Sequence, residues 1–201
     1  MMIKQNKSRV LVLFCLSLLC PGIAALLSGC PAIVAGGAAT GVVLAQDRRT
    51  TGTIVEDQSI VFKAKKAISD QLTEEDQVHV TPHSYNNNVL LVGQTPTPEQ
   101  RERIESAVRQ VEKVQNVYNE ITIDAPTSTM VRSNDSWITT KIKSEILLHK
   151  EINVGRIKVV TEDGIVYLIG ILAPIEERIA VDIARHTKGV KKVVKIIEPN
   201  E

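Results

Sequence analysis

The chain repeats itself, and this constrains its fold more than any other feature. From Asp57 onward, "DQSIVFKAKKAI" aligns with "DSWITTKIKSEI", pairing Asp57 with Asp135, Ile60 with Ile138, Lys65 with Lys143 and Ile68 with Ile146. "VLLVGQ" aligns with "VYLIGI" through Gly93 and Gly170, and "VQNVYNEI" with "VKKVVKII" through Val114/Val190 and Val117/Val193. "QRERI" and "EERIA" match more loosely through Arg101 and Arg178. Shared order and a near-constant offset indicate a duplication, with a period too long for solenoid repeats.

Each copy reads helix, strand, strand, helix, strand. The first helix spans about Asp57 to Leu72, with Ile60, Ala64 and Ile68 on one face; its counterpart runs from Ser133 to Leu148 over Ile138, Ile142 and Ile146. "VHVTPHSY" and "VLLVGQ" form a hairpin turning at Asn86-Asn87, and Asp163-Gly164 is the corresponding two-residue turn. Thr97 caps the next helix, Pro98 suits its first position and Gln100 can return the cap bond; Pro174 opens the counterpart with no Ser or Thr before it. The crossover favours a parallel strand pair and the hairpin an antiparallel one. The expected class is therefore α+β: two tandem αββαβ domains, each a small three-stranded mixed sheet covered by two helices. They occupy 57–124 and 135–199, with 125–134 as linker. Units of this length bury only about 60% of their surface, which favours docking on each other.

The first 29 residues do not belong to either copy. Lys4, Lys7 and Arg9 precede an apolar run from Val10 to Leu19, Pro21-Gly22 break it, and "ALLSGC" follows. This is a secretory signal of about residues 1–29. "LSGC" resembles the lipobox of bacterial lipoproteins, which implies cleavage before Cys30 and lipidation of its sulfur. An uncleaved membrane anchor and an ordinary signal cut nearby are the alternatives. Cys15 and Cys20 would leave with the signal, so no disulfide pair remains and each domain must rely on its core. Cleavage removes three basic residues and no acidic ones, taking the formal charge from +1 to −2. A charge so near neutral gives nothing to favour nucleic acid. Residues 30–56 read as a lipidated Cys and tether, of which Pro31 to Gln46 is small and apolar.

Lipobox, "GT" after a basic patch, and two such copies together resemble the dual BON-domain lipoproteins. "VLLVGQ", "VYNEI" and "SNDSWITTKIKS" are the segments most similar to that family. The resemblance covers essentially the whole mature chain; "SYNNN" and "LLHKEINVGR" are less family-like. It implies a lipid-anchored protein on the periplasmic face of the outer membrane. It also implies binding of an anionic phospholipid membrane through the second domain, support of envelope integrity, and enrichment at division sites. In lipoproteins of this type an Asp after the lipidated Cys favours inner-membrane retention; Pro31 stands there instead.

The duplication supplies an internal control for where a binding face lies. The core stripe is apolar in both first helices, but off it Ser59 faces Trp137, Ser69 faces Leu147 and Asp70 faces Leu148. On a helix, Trp137, Lys141, Ser144 and Leu148 fall on one side, with Thr140 and Leu147 adjacent. An indole at headgroup level, two leucines and a lysine reaching phosphate suit a bilayer interface. Interdomain packing and another protein are the other coverings that fit, since apolar patches mark all three. Phe62, paired with Thr140, is the expected interdomain contact.

No chemistry of turnover stands out. His79 and His83 lie about 13 Å apart on a strand, too far for one metal. His149 and His186 are isolated, and no Ser-His-Asp grouping is visible. Gly93 and Gly170 end apolar strands, where they permit a close helix crossing or a bend. Glu176-Glu177 and Glu74-Glu75 read as solvated charges. Lys188, Lys191 and Lys192 form a basic cluster that adds to a headgroup site if it lies beside the first helix of its copy. The expected protein is not an enzyme and needs no cofactor. Its competing class is a scaffold for outer-membrane assembly or division proteins.

Overall fold

The computed structural model describes residues 47–73 and 77–200. The signal, Cys30, the tether up to residue 46 and Glu74-Glu75 lie outside the described residues. The first copy comprises α1 (Thr51–Ser69), β1 (His79–Tyr85), β2 (Asn88–Thr95), α2 (Pro98–Arg109) and β3 (Asn116–Ile123). The second comprises α3 (Thr129–Leu148), a short 3-10 turn (Val154–Arg156), β4 (Ile157–Glu162), β5 (Ile165–Leu172), α4 (Pro174–His186) and β6 (Lys192–Pro199). Each sheet has its middle strand antiparallel to the first and parallel to the third, in the orders β1-β2-β3 and β4-β5-β6.

Both first helices start earlier than their sequence indicates. Thr50 caps α1 and Ser128 caps α3, each accepting a hydrogen bond from the backbone N–H three residues on. Residues 51–56 are therefore helix, not tether, and α3 begins inside the stretch read as linker. Asp57, Ser133 and Asp135 resemble helix starts by residue type. In the structure Asp57 and Asp135 sit within their helices and are buried, at 1% and 4% exposure. Their carboxylates are used elsewhere. Asp135 accepts the N–H groups of Asp163 and Gly164, both at 2.8 Å. Asp57 accepts those of Asn86 and Asn87, both at 2.9 Å, and also the Ser84 hydroxyl at 2.6 Å and Arg49 Nη1 at 2.7 Å. All four turn residues have positive φ, as a two-residue type I′ hairpin requires. Their N–H groups point away from the ladder, and the helix supplies the acceptor.

Every residue of β2 is buried, and nearly every residue of β5. Continuous apolar runs such as "VLLV" and "VYLI" mark strands covered on both faces. Val89 and Leu91 point to the helices of their own copy, as do Val166 and Leu168. The alternate residues Leu90, Val92, Tyr167 and Ile169 join Tyr85, Val160 and Ile196 in a third core, where the two sheets pack face to face. This corrects the expectation for Phe62: the interdomain contact is sheet on sheet, and Phe62 stands on the outer side of α1 at 74% exposure. The glycines also differ from expectation. A Cβ on Gly93 would meet the His79 carbonyl oxygen at 1.9 Å, and one on Gly170 the Arg156 oxygen at 2.5 Å. The close approach is to the backbone of the neighbouring strand at Gly93 and of the turn entering it at Gly170, not to a covering helix.

Because the clamp needs two acceptor oxygens, Asp135→Asn must turn an amide NH2 toward one turn N–H, at a cost of about 2 kcal/mol. Asp57→Asn, where four donors converge on one carboxylate, should cost about 3 kcal/mol or more. Urea unfolding at unchanged m-value measures both; a loss at neither position would contradict the clamp.

Candidate functional site

The outer side of α3 carries the candidate face. Ile138, Ile142 and Ile146 are fully buried and hold the helix against its sheet. Turned away from them, Trp137 is 50% exposed, Leu147 69% and Leu148 83%. Because α3 starts at Thr129, Met130 falls one heptad before Trp137 on the same side and is 82% exposed. The apolar stripe from Met130 to Leu148 is then about 27 Å long. Sequence reasoning missed Met130 because it placed the helix start at Ser133; the signal was the Ser128 cap.

The polar members of the face are less free than their spacing implies. The Thr140 hydroxyl donates to the Ser136 carbonyl at 2.8 Å and the Ser144 hydroxyl to the Thr140 carbonyl at 2.9 Å. Both are folded back onto the helix and present mainly carbon. Lys141 pairs with Glu145 at 3.0 Å in an exposed contact one turn apart. Such pairs contribute about 0.5 kcal/mol or less, so a phosphate can displace Glu145 readily. The basic cluster at 188–192 lies beside α3: a Cβ on Gly189 would sit 3.1 Å from Ile138 Cδ1 and 3.7 Å from Asn134 Nδ2. Lys191 is bound to Asp163 at 2.7 Å, while Lys188 and Lys192 are exposed beside it.

A second set of polar groups binds the copies together. Glu176, expected as a solvated charge, is buried at 3% exposure. It accepts the Ala173 N–H at 2.8 Å, closing the start of α4 where a Ser or Thr is lacking, and receives Arg48 and Arg156 at 2.6 Å each. Burial raises its pKa, but these three donors outweigh it and hold the carboxyl below the usual range. Arg48 also donates to the Ile171 carbonyl. Arg49 lies 3.8 Å over the Tyr85 ring while bridging Asp47 and Asp57. The segment entering the first copy is thus fastened to the second. Burial, with Asp47 nearby, pushes the Tyr85 phenol up to about 12, so it stays protonated and donates to the Arg156 carbonyl at 3.0 Å. Glu177, by contrast, does lie at the surface, paired with Lys195.

Two docked αββαβ units, each with a hairpin clamped by its own first helix, define a tandem two-domain arrangement in which α1 to α4 face outward. The BON-domain profile matches residues 56–125 and again 134–198, and the chain belongs to the BON-domain family. It is 37% identical over 172 residues to the Outer membrane lipoprotein DolP of Haemophilus influenzae, covering 86% of this chain and 89% of that one. It is 39% identical over 153 residues to a 21 kDa hemolysin of Actinobacillus pleuropneumoniae, covering 75% and 78%. Among solved structures, the C-terminal domain of CdsD, a type III secretion structural protein of Chlamydia trachomatis, aligns at TM-score 0.31 and 10% identity, over 71% of this chain and 98% of that one. That likeness is too low to carry an argument. No helix among the described residues is long and apolar enough to cross a membrane.

The seam between the copies should sense acid. Burial first, then the charges of Lys158, Lys65 and Lys143, lower His83 from 6.5 to about 4. Between those values the unfolded chain takes up a proton that the folded chain refuses. Stability should therefore fall as pH drops through that window, by up to about 3 kcal/mol. Urea titrations from pH 7 to pH 4 should show this slope in the parent and a shallower one in His83→Gln; equal slopes would remove the role given to His83.

Proposed function

We propose that this is a lipid-anchored outer-membrane protein, without enzymatic activity, that holds an anionic phospholipid surface through the second BON domain. The contact residues are Trp137, Thr140, Lys141, Ser144, Leu147 and Leu148, with Met130 extending the stripe. One observation carries the reading: the copy with apolar bulk on its first helix leaves that bulk in solvent, while the sheets, not the helices, join the domains. The name of the Haemophilus relative supports the location. The acyl chains are assigned to Cys30.

The energetics fit an auxiliary contact. Complete burial of each large apolar side chain contributes roughly 1.5–3 kcal/mol. Each lysine near an anionic surface adds about 1 kcal/mol. Acyl chains at Cys30 would keep the domain near the membrane, so a face this weak on its own still suffices to orient it. The indole would sit at the headgroup level, with Lys141, Lys188 and Lys192 reaching phosphates beside it. A role in envelope integrity and enrichment at division sites belong to the same reading, through the membrane the face selects.

Val55 and Phe62 favour a second reading. They lie seven residues apart on α1 and are 64% and 74% exposed. A scaffold for outer-membrane assembly or division proteins would use that side of the first copy.

Co-sedimentation separates the two. The fragment from residue 47 should pellet with phosphatidylglycerol vesicles, less with phosphatidylcholine, and lose about tenfold or more in affinity in Trp137→Glu. Undiminished binding by Trp137→Glu, or no binding by the parent together with capture of an envelope protein lost in Phe62→Glu, would favour the scaffold.

A further inference from the structure

The duplication also marks a place where the second copy has gained charge, along its edge strand β6. Both second helices open on a proline, Pro98 and Pro174, and bury matched residues: Gln100, Ile104 and Val108 in α2, Glu176, Ala180 and Ala184 in α4. Glu105 is then the counterpart of Val181, and Arg109 of Arg185, one residue away from the loose match through Arg101 and Arg178. The strands that follow align as "VQNVYN" and "VKKVVK", so Gln115, Asn116 and Asn119 correspond to Lys191, Lys192 and Lys195.

In the first copy this place is closed on itself. Glu105 accepts from Arg109 Nε at 3.1 Å and from Asn119 Nδ2 at 2.6 Å. In the second copy a valine stands for that carboxylate and lysines stand for the three amides. Between α4 and β6 lies a cavity of about 360 Å³, lined by Arg185, Lys191, Lys192 and Lys195 over Val181, Val190 and Val193. No acidic side chain among the described residues lines it. Lys191 reaches out to Asp163 and Lys195 to Glu177, each at 2.7 Å in an exposed pair. Pairs of that kind are weak, so either ammonium can turn to another anion. Arg185 and Lys192 enter no ion pair among the described residues, which leaves an excess of two positive charges.

Like charges gathered in one cleft repel, and an anion placed among them relieves that repulsion. A phosphate group suits an arginine fork flanked by lysines. The valines beneath call for carbon next to the charge. The cleft also adjoins a larger one of about 720 Å³, sharing Val181, Arg185 and Lys195 and adding Ile175, Ile179 and Ile183; the carboxylates there, Glu177 and Asp182, face Lys195 and His186. A ligand fitting both has an anionic head and a hydrocarbon continuation. An ethanolamine head would bring its own ammonium among four cations and meet no acceptor side chain in the lining. A glycerol head brings hydroxyls only.

We propose that the cleft between α4 and β6 is a headgroup site for an anionic glycerophospholipid, its phosphodiester held by Arg185 and Lys192 with Lys191 and Lys195 beside them, and its acyl carbons over the valines and isoleucines. The proposal rests on the reading of the second domain as the lipid-binding one, but uses none of the apolar residues of α3. The connection from α4 to β6 packs on α3 at Ile138 and Asn134, so the two sites are neighbours. The stripe on α3 supplies attachment and the cleft supplies the choice of headgroup.

The test titrates the isotope-labelled full chain, in dodecyl maltoside micelles, with dihexanoyl phosphatidylglycerol and reads the amide signals of Val190 to Lys195. They should shift saturably, with a midpoint about tenfold higher for dihexanoyl phosphatidylethanolamine. Arg185→Gln and Lys192→Gln, both at exposed positions, should each weaken binding about fivefold and keep the thermal midpoint. Val181→Glu, which returns to Arg185 the carboxylate that Arg109 has, should weaken it about tenfold or more. Trp137→Glu should lower vesicle binding yet keep the shifts at the cleft, so the two sites fail separately. Glycerophosphoglycerol binding as tightly as the lipid would overturn the lipid assignment. No saturable shift, equal midpoints for the two lipids, or an unchanged midpoint in the Arg185/Lys192 double variant would overturn the site.

Discussion

A buried carboxylate reaching from a helix to a hairpin turn organises each half of this molecule. A type I′ turn directs two N–H groups out of the ladder, and a buried hairpin end must find acceptors for them. Asp57 and Asp135 provide both oxygens of one side chain, 29 and 28 residues before the first turn residue they hold. This fixes the rotation of the first helix, since only one face can hold both the aspartate and the isoleucine stripe inward. It also fixes the hairpin register, because a one-residue slip would carry the turn away from its acceptor. Once hairpin and helix are locked, the far face of each sheet is flat, apolar and uncovered. Two such faces bury each other.

The consequence of sheet-on-sheet docking is that the helices α1 to α4 become outer layers. A helix in that position uses only one stripe for folding: Ile60, Ala64 and Ile68 in α1, Ile138, Ile142 and Ile146 in α3. The remainder of its circumference is free to differ without cost to the core. The two copies differ there. Ser59 and Trp137 occupy equivalent places in the two αββαβ units, so the core does not account for the indole, and a half-exposed Trp loses favourable burial by being there.

Much of this was legible in the chain, and the exceptions have physical causes. The αββαβ order, the mixed sheets and the turns at Asn86-Asn87 and Asp163-Gly164 follow from periodicity and turn chemistry, which act locally. Exposure of Trp137, Leu147 and Leu148 followed from comparing the copies. The helix starts did not, because Asp and Ser are cap residues by local preference and only tertiary partners reveal that Asp57 and Asp135 are spent elsewhere. Glu176 misled for a similar reason. Two adjacent glutamates look solvated until Arg48 arrives from 128 residues away. Phe62 was assigned to the interface because it is large and apolar; the interface was instead written in the unbroken burial pattern of "VLLV" and "VYLI", whose second face needed a partner.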